Sequence, residues 1–160
     1  VVRAAVLTVS DSVSGGQKED RSGPAVRERL QTRGWSVPVA MVLPDEAERI
    51  VAWLVHTVES GDVDAIFTTG GTGIAVRDVT PEATQSVIER EIPGLAERMR
   101  IEGSKHTPLA ALSRGLTGVR RNVLIVNLPG SPKGAVESLD AIVELVPHIV
   151  NLLHGDTAHP

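Results

Sequence analysis

A chain of 160 residues with a formal net charge of −4 is most simply one domain, spanning residues 1–160, and can bury roughly 70% of its unfolded surface without a staple. It contains no cysteine, which removes disulfides, thiolate chemistry and cysteine-based zinc sites. Its charges are mixed in sign and its aromatics are only Trp35, Trp53 and Phe67, so it lacks the basic face and stacking platforms of a general nucleic-acid binder. No apolar run approaches the roughly 20 residues that span a bilayer, and no signal-like segment opens the chain. The absent initiator methionine reads as a trimmed start, and a cytoplasmic protein with no membrane partner is expected.

In chain order, Arg3 to Ser10 has the pattern of a buried strand. Ser-Asp-Ser and a polar loop from Val13 to Arg21 follow. Ser22 is placed to cap a helix with Pro24 in its first turn, running to Gly34. Trp35 to Leu43 reads as a strand, and Pro38 assigns it to an edge. From Asp45, the residues Ala47, Ile50, Val51, Leu54, Val55 and Val58 share one helical face, which Gly61 ends. Ala65 to Thr69 is a short apolar strand. Thr80 and Pro81 read as N-cap and first residue of a helix to Arg90.

Pro93 to Ile101 looks helical, Gly103 to Arg121 loop-rich, and Asn122 to Leu128 strand-like. Ser131 caps and Pro132 opens a long helix with Val136, Leu139, Ile142, Val143, Val146, Ile149 and Val150 inward. Pro147 should kink it, and the tail after Gly155 should fray. Alternating strands and helices with uniformly apolar central strands predict an α/β three-layer sandwich: a mostly parallel central sheet with helices on both faces. Ligands of such folds sit at the carboxyl ends of the strands. Three such ends carry unusual chemistry and should converge: Ser10-Asp11-Ser12, Gly70 to Asp78, and Pro129 to Lys133.

Gly70-Gly71-Thr72-Gly73 follows a strand. Glycines there permit left-handed backbone, and exposed amides can form an anion nest; the plain alternative is a tight turn. No GK[ST] follows, and no third glycine completes a dinucleotide fingerprint. Asp78, five residues beyond Gly73, is a candidate Mg²⁺ ligand, because magnesium is held by one or two carboxylates plus substrate phosphates. Asp45 is the second candidate, with a helix N-cap as its alternative. Arg77 could meet a phosphate or neutralise Asp78, and Lys133 could meet an anion. Asp11 and Ser12 could cap the local loop or hydrogen-bond a ligand. Ser113 lies in no nucleophile-elbow context. The histidines at 56, 106, 148, 154 and 159 lack metal-pair spacing and read as surface or packing residues.

LTVSDS, DRSGPAV, LPDE, TTGGTGIAVRDVTPEAT, ALSR and NLPGSPKGAVESL, in this order, resemble the molybdopterin adenylyltransferases, the MogA/MoaB family to which the gephyrin G domain is also similar. The resemblance runs from Val6 to about Leu153. It implies a homotrimer that binds molybdopterin and Mg-ATP, attaches AMP to the pterin's terminal phosphate and releases pyrophosphate. A downstream protein would then use the product for molybdate insertion. It implies functional carboxylates at Asp45 and Asp78 and a contribution from Ser113. It also implies nucleotide contacts from Ser10, Asp11, Ser12, Gly70, Gly71, Thr72 and Gly73, with Pro129, Gly130, Ser131 and Lys133 lining the pocket. This chain departs from many members at Ala75-Val76, where they carry Thr-Pro, which should loosen the loop. Two other functions compete: a non-catalytic molybdopterin-binding or scaffold protein of the same fold, and an unrelated nucleotide-binding regulator resting on the glycine loop alone.

Overall fold

In the computed structural model, which describes residues 1–156, the apolar run Arg3–Val9 forms strand β1. A single turn α1 (Asp11–Ser14) and then α2 (Ser22–Thr32), β2 (Ser36–Leu43), α3 (Ala47–Ser60), β3 (Ala65–Thr69) and α4 (Thr80–Val87) follow. The second half holds β4 (Arg90–Glu91), α5 (Pro93–Ser104), a 3-10 turn at Pro108–Leu112, β5 (Thr117–Arg120), β6 (Val123–Leu128), α6 (Pro132–Ile142) and α7 (Val146–Leu153).

The sheet order is β2-β1-β3-β6-β5-β4. The first four strands are parallel, while β5 runs antiparallel to β6 and β4 antiparallel to β5. Successive side chains in a strand point to opposite faces. Val6, Phe67 and Val126 therefore enter one core with Leu30, Met99, Leu139 and Val146 from α2, α5, α6 and α7. Leu7, Ile66 and Ile125 enter the other, against Leu54 of α3 and Val87 of α4. Both faces are covered, which is why these strands carry apolar residues toward both, with Thr8, Thr68, Thr69 and Asn127 as buried polar exceptions near their carboxyl ends. The α/β three-layer sandwich read from the pattern is the observed fold. β1 has β2 on one side and β3 on the other, so the winding reverses between β1 and β3. A crevice opens beyond their carboxyl ends.

Several local expectations are corrected. Ser22 is already helical, and Asp20 supplies the cap, its Oδ1 accepting from the Gly23 amide at 3.1 Å. Thr80 is the first residue of α4 rather than its cap, because its hydroxyl is spent on the Gly70 carbonyl at 3.0 Å. That helix stops at Val87 because Glu89 and Arg90 leave to pair with β5. The stretch expected to be loop-rich contains α5's end, a 3-10 turn and β5. The long last helix breaks at Val143–Leu145 into a 3-10 turn, and Pro147 occupies the first turn of α7. A proline ring has no N–H to donate to the carbonyl four residues back, so the break falls just before it. Val136 is only half-buried, and Ala135 and Ser138 take the inward positions. The expected fraying after Gly155 concerns, from residue 157 on, positions outside the described residues, as does His159.

Asn127 of β6 ties the sheet to its covering layer. Its amide nitrogen donates to Thr68 and Thr84 hydroxyls, each at 3.0 Å, and its Oδ1 accepts from the Leu116 amide at 3.0 Å. Both of its donors and its carbonyl oxygen are engaged in a site 2% exposed. Asn127→Ala should therefore cost about 2–4 kcal/mol, since it orphans a buried amide as well as losing bonds. Urea unfolding of the variant against the parent measures this.

Candidate functional site

The strand β3 ends at Thr69 and the backbone turns left-handed twice, at Gly70 (φ 101°) and Gly71 (φ 68°). A Cβ at Gly70 would strike the Val9 carbonyl, and one at Gly71 would strike the Thr80 hydroxyl. Gly73 differs from expectation. Its φ is not left-handed, and what a side chain would meet there is Asp78 Oδ2, 2.8 Å from an ideal Cβ. The loop's carbonyls are all held from behind. Gly70 and Gly71 carbonyls accept from Thr80 Oγ1 and N at 3.0 and 3.2 Å. Thr72 and Gly73 carbonyls accept from Arg114 N and Nε, both at 2.8 Å. The amides of Gly71, Thr72 and Gly73 meet no acceptor among the described residues. A run of amides without acceptors is the kind of donor set an anion nest uses.

Arg114 was not singled out from the sequence. Besides Gly73 it donates to the Asp78 carbonyl at 2.8 Å and pairs with Glu82 Oε2 at 2.6 Å. It clamps the Thr72–Asp78 segment onto α4. The loop also closes on itself: the Asp78 amide donates to the Ala75 carbonyl and the Ala75 amide to Asp78 Oδ2, both at 3.0 Å. These bonds offset the looseness expected of Ala75-Val76.

Asp45 is not a helix cap; Glu46 holds that position. Asp45 and Asp11 instead exchange bonds: the Asp11 amide donates to Asp45 Oδ2 at 2.8 Å, and the Asp45 amide to Asp11 Oδ1 at 2.9 Å. Arg77 grips Asp11, not Asp78, through a two-pronged contact of 2.9 Å on each arm. That guanidinium, with the Asp45 amide, holds the Asp11 carboxyl below its ordinary range. Burial pushes Asp45 upward, and the negative charges of Asp11 and Asp78 add to the push. Asp45 Oδ1 and Asp78 Oδ1 accept no hydrogen bond from the described residues. Both carboxylates line one cleft. One oxygen of each is anchored and one is left over, in a place where negative charge is uncompensated; that donor set fits a hard divalent cation. The described residues contain no group of three metal-ligating side chains, so remaining ligands would have to come from substrate or water.

Two cavities meet at this loop. The first, about 540 Å³, is lined by Ser10, Asp45, Gly70, Gly71, Asp78 and Ser131, with Lys18 to Ser22 forming its far wall. The second, about 370 Å³, is lined by Thr72, Gly73, Ser113, Pro129, Gly130 and Ser131, with His106, Leu109, Leu112 and Glu137 around them. Gly130 and Ser131 belong to both. Backbones approach closely there, since a Cβ at Gly130 would lie 3.3 Å from Gly70 Cα. The three expected strand ends are thus together, but the glycine loop is shared between two cavities.

Other candidates are displaced. Ser10 caps α1, accepting from the Val13 amide at 3.2 Å. Asp11 and Ser12 line neither cavity, and Ser12 bonds the Ser10 hydroxyl at 3.2 Å. Ser131 caps α6 by accepting from the Gly134 amide at 3.0 Å. Lys133 is exposed and lines neither cavity, because it points off the first turn of α6. Lys18 and Arg21 are the cations on the first cleft. His106, read as a surface or packing residue, is exposed and lines the second cavity with its Nε2 2.9 Å from Glu137 Oε2. Arg21 lies in the DRSGPAV stretch and Glu137 in NLPGSPKGAVESL, while Lys18 and His106 fall in none of the motifs.

Residues 5–148 match the family described as "Probable molybdopterin binding domain". The chain is 39% identical over 158 residues to the molybdopterin adenylyltransferase of Helicobacter pylori, covering 97% of this chain and 89% of that protein. It is 42% identical to the molybdenum cofactor synthesis protein cinnamon of Drosophila melanogaster, over 96% of this chain but only 26% of that longer protein. The crystal structure of the molybdopterin biosynthesis enzyme MoaB from Thermus thermophilus superimposes with a TM-score of 0.91 at 47% identity, covering 97% of this chain and 98% of that one. No helix among the described residues is long and apolar enough to cross a membrane.

Arg114→Met should speed exchange of the hydrogen-bonded Ala75 and Asp78 amides by about tenfold or more, on the order of one lost charge-assisted bond, while α3 exchange stays at the parent rate. A second prediction concerns pH. Arg114 holds the Glu82 carboxyl below its ordinary value. A depressed carboxylate contributes stability above its unfolded value and loses it as pH falls through the folded one. The pair is exposed, so the effect is small. Glu82→Gln should melt slightly below the parent at neutral pH, and the gap should close once pH drops below the ordinary glutamate range.

Proposed function

This chain belongs to the molybdopterin-binding family that includes the molybdopterin adenylyltransferases, and we propose that it is the nucleotidyltransferase of molybdenum cofactor biosynthesis that adenylylates molybdopterin. The observation that carries this reading is the pairing of acceptor-free amides at Gly71, Thr72 and Gly73 with two carboxylates, Asp45 and Asp78, beside the same loop.

The first cleft takes ATP and the second cavity takes the pterin, with the phosphate arm crossing at Gly130 and Ser131. A terminal phosphate oxygen of molybdopterin attacks the α-phosphorus of ATP. A new P–O bond forms as the bond to the β-phosphate bridge breaks, and pyrophosphate departs with that electron pair. The nucleophile is already ionised, so no general base is required, which accords with a first cleft lined by no histidine. Magnesium, when bound, neutralises charge between the two anions and on the leaving group. Asp45 and Asp78 would hold it, and Asp11 with Arg77 keeps Asp45 in place. The glycine-loop amides hold phosphate oxygens without needing to reorganise. Ser113 contributes from the pterin side.

The family resemblance extends the proposal to one domain acting as a cytoplasmic homotrimer that passes its product to a molybdate-insertion protein. Such a trimer buries well over about 1,000 Å² per contact, and sedimentation at micromolar concentration checks it.

Incubation with molybdopterin and Mg-ATP should yield adenylated pterin and pyrophosphate. Asp78→Asn and Asp45→Asn should each cut the rate about a hundredfold or more with circular dichroism unchanged. Pterin binding without any adenylated product would reduce the protein to the non-catalytic binder.

A further inference from the structure

The second cavity has apolar walls from Leu109, Leu112 and Pro129, yet one carboxylate, Glu137 of α6, lines it. The Glu137 side chain is 20% exposed. Ala135, Ser138 and Leu139 of the same helix turn into the core, so Glu137 stands on the flank of the buried face. Its Oε2 lies 2.9 Å from His106 Nε2, and Oε1 has no hydrogen-bond partner among the described residues. A carboxylate withdrawn from water is costly unless its lone pairs find donors. His106 supplies one donor, and each carboxylate oxygen can accept two. The cavity therefore holds a fixed anion with spare acceptor capacity between hydrophobic walls.

We propose that Glu137 is the specificity-determining residue of this cavity. It accepts from the ring N–H and the exocyclic amino group on the amino-pyrimidinone edge of a pterin. The inference rests on the proposed function, which brings a pterin to this cavity. Two adjacent donors on one rigid edge match the two oxygens of a carboxylate, and apolar walls suit a heterocyclic ring. The edge chemistry also sorts the two substrates. Adenine offers one donor beside a ring nitrogen acceptor, and a carboxylate facing that acceptor is repelled. Glu137 thus favours pterin in the second cavity and turns adenine away from it. His106 is a positioning residue, orienting the carboxylate from the loop after α5.

The test uses pterin and lumazine, which differs in carrying an oxygen in place of the amino group, titrated into the intact protein and followed by ligand fluorescence. The parent should prefer pterin by roughly tenfold to a hundredfold, the range for a two-bond contact to a charged group. Glu137→Gln presents one acceptor and one donor, which complements lumazine, so the preference should reverse. Glu137→Asp withdraws the carboxylate and should weaken pterin binding while still favouring it over lumazine. Thermal melting and ATP affinity should match the parent in both. A parent that prefers pterin and a Glu137→Gln variant that keeps that preference would overturn the assignment of Glu137 and leave the proposed function standing. A parent that binds ATP but neither heterocycle would overturn both.

Discussion

The hold on the glycine loop's carbonyls is the constraint on which the rest of the site depends. Thr80 takes two of them and Arg114 the other two. With the carbonyls occupied from behind, the peptide planes are fixed, and the amides of Gly71, Thr72 and Gly73 are left for a ligand. Backbone amides fixed in advance bind an anion without reorganising, which is where their electrostatic worth lies. The same Arg114 follows Ser113, a wall of the second cavity. One residue thus links a wall of the second cavity to the glycine loop that the two cavities share.

The charges are arranged around that frame. Three aspartates crowd one strand end, and like charges at such range cannot all be left unbalanced. Arg77 settles Asp11, and the Asp11–Asp45 exchange of amide bonds settles one oxygen of Asp45. What remains is negative charge from Asp45 and Asp78 on the first cleft, while its far wall sets Glu19 and Asp20 beside Lys18 and Arg21 and so adds no net charge. A divalent cation beside Asp45 and Asp78 would offset that charge. The apolar second cavity, with its single carboxylate, suits a heterocycle and not a polyphosphate.

The layer architecture was legible in the sequence because the central strands carry apolar residues on both faces, Val6, Phe67 and Val126 on one and Leu7, Ile66 and Ile125 on the other, as a sheet covered twice requires. The aspartates and glycines were legible as chemistry. Their partners were not, because they come from far along the chain: Arg114 lies 41 residues from Gly73 in a contact no local pattern encodes. Cap assignments failed at Ser22 and Thr80 for a related reason. A hydroxyl placed to cap was claimed by tertiary structure or replaced by a nearby carboxylate, as at Asp20. Strands β4 and β5 were missed because a short antiparallel edge has too few residues to show a period. Likewise Glu137 and His106 meet only when α6 and the loop after α5 are folded together.

The central claim is that loop amides, not side chains, receive the nucleotide's phosphates. Amide chemical shifts followed during titration with Mg-ATP test it most directly. The account predicts large shifts and slowed exchange at Gly71, Thr72 and Gly73, with smaller changes at Asp45 and Asp78. Shifts confined to the Lys18–Ser22 wall or to α6, with the three loop amides unmoved, would contradict it.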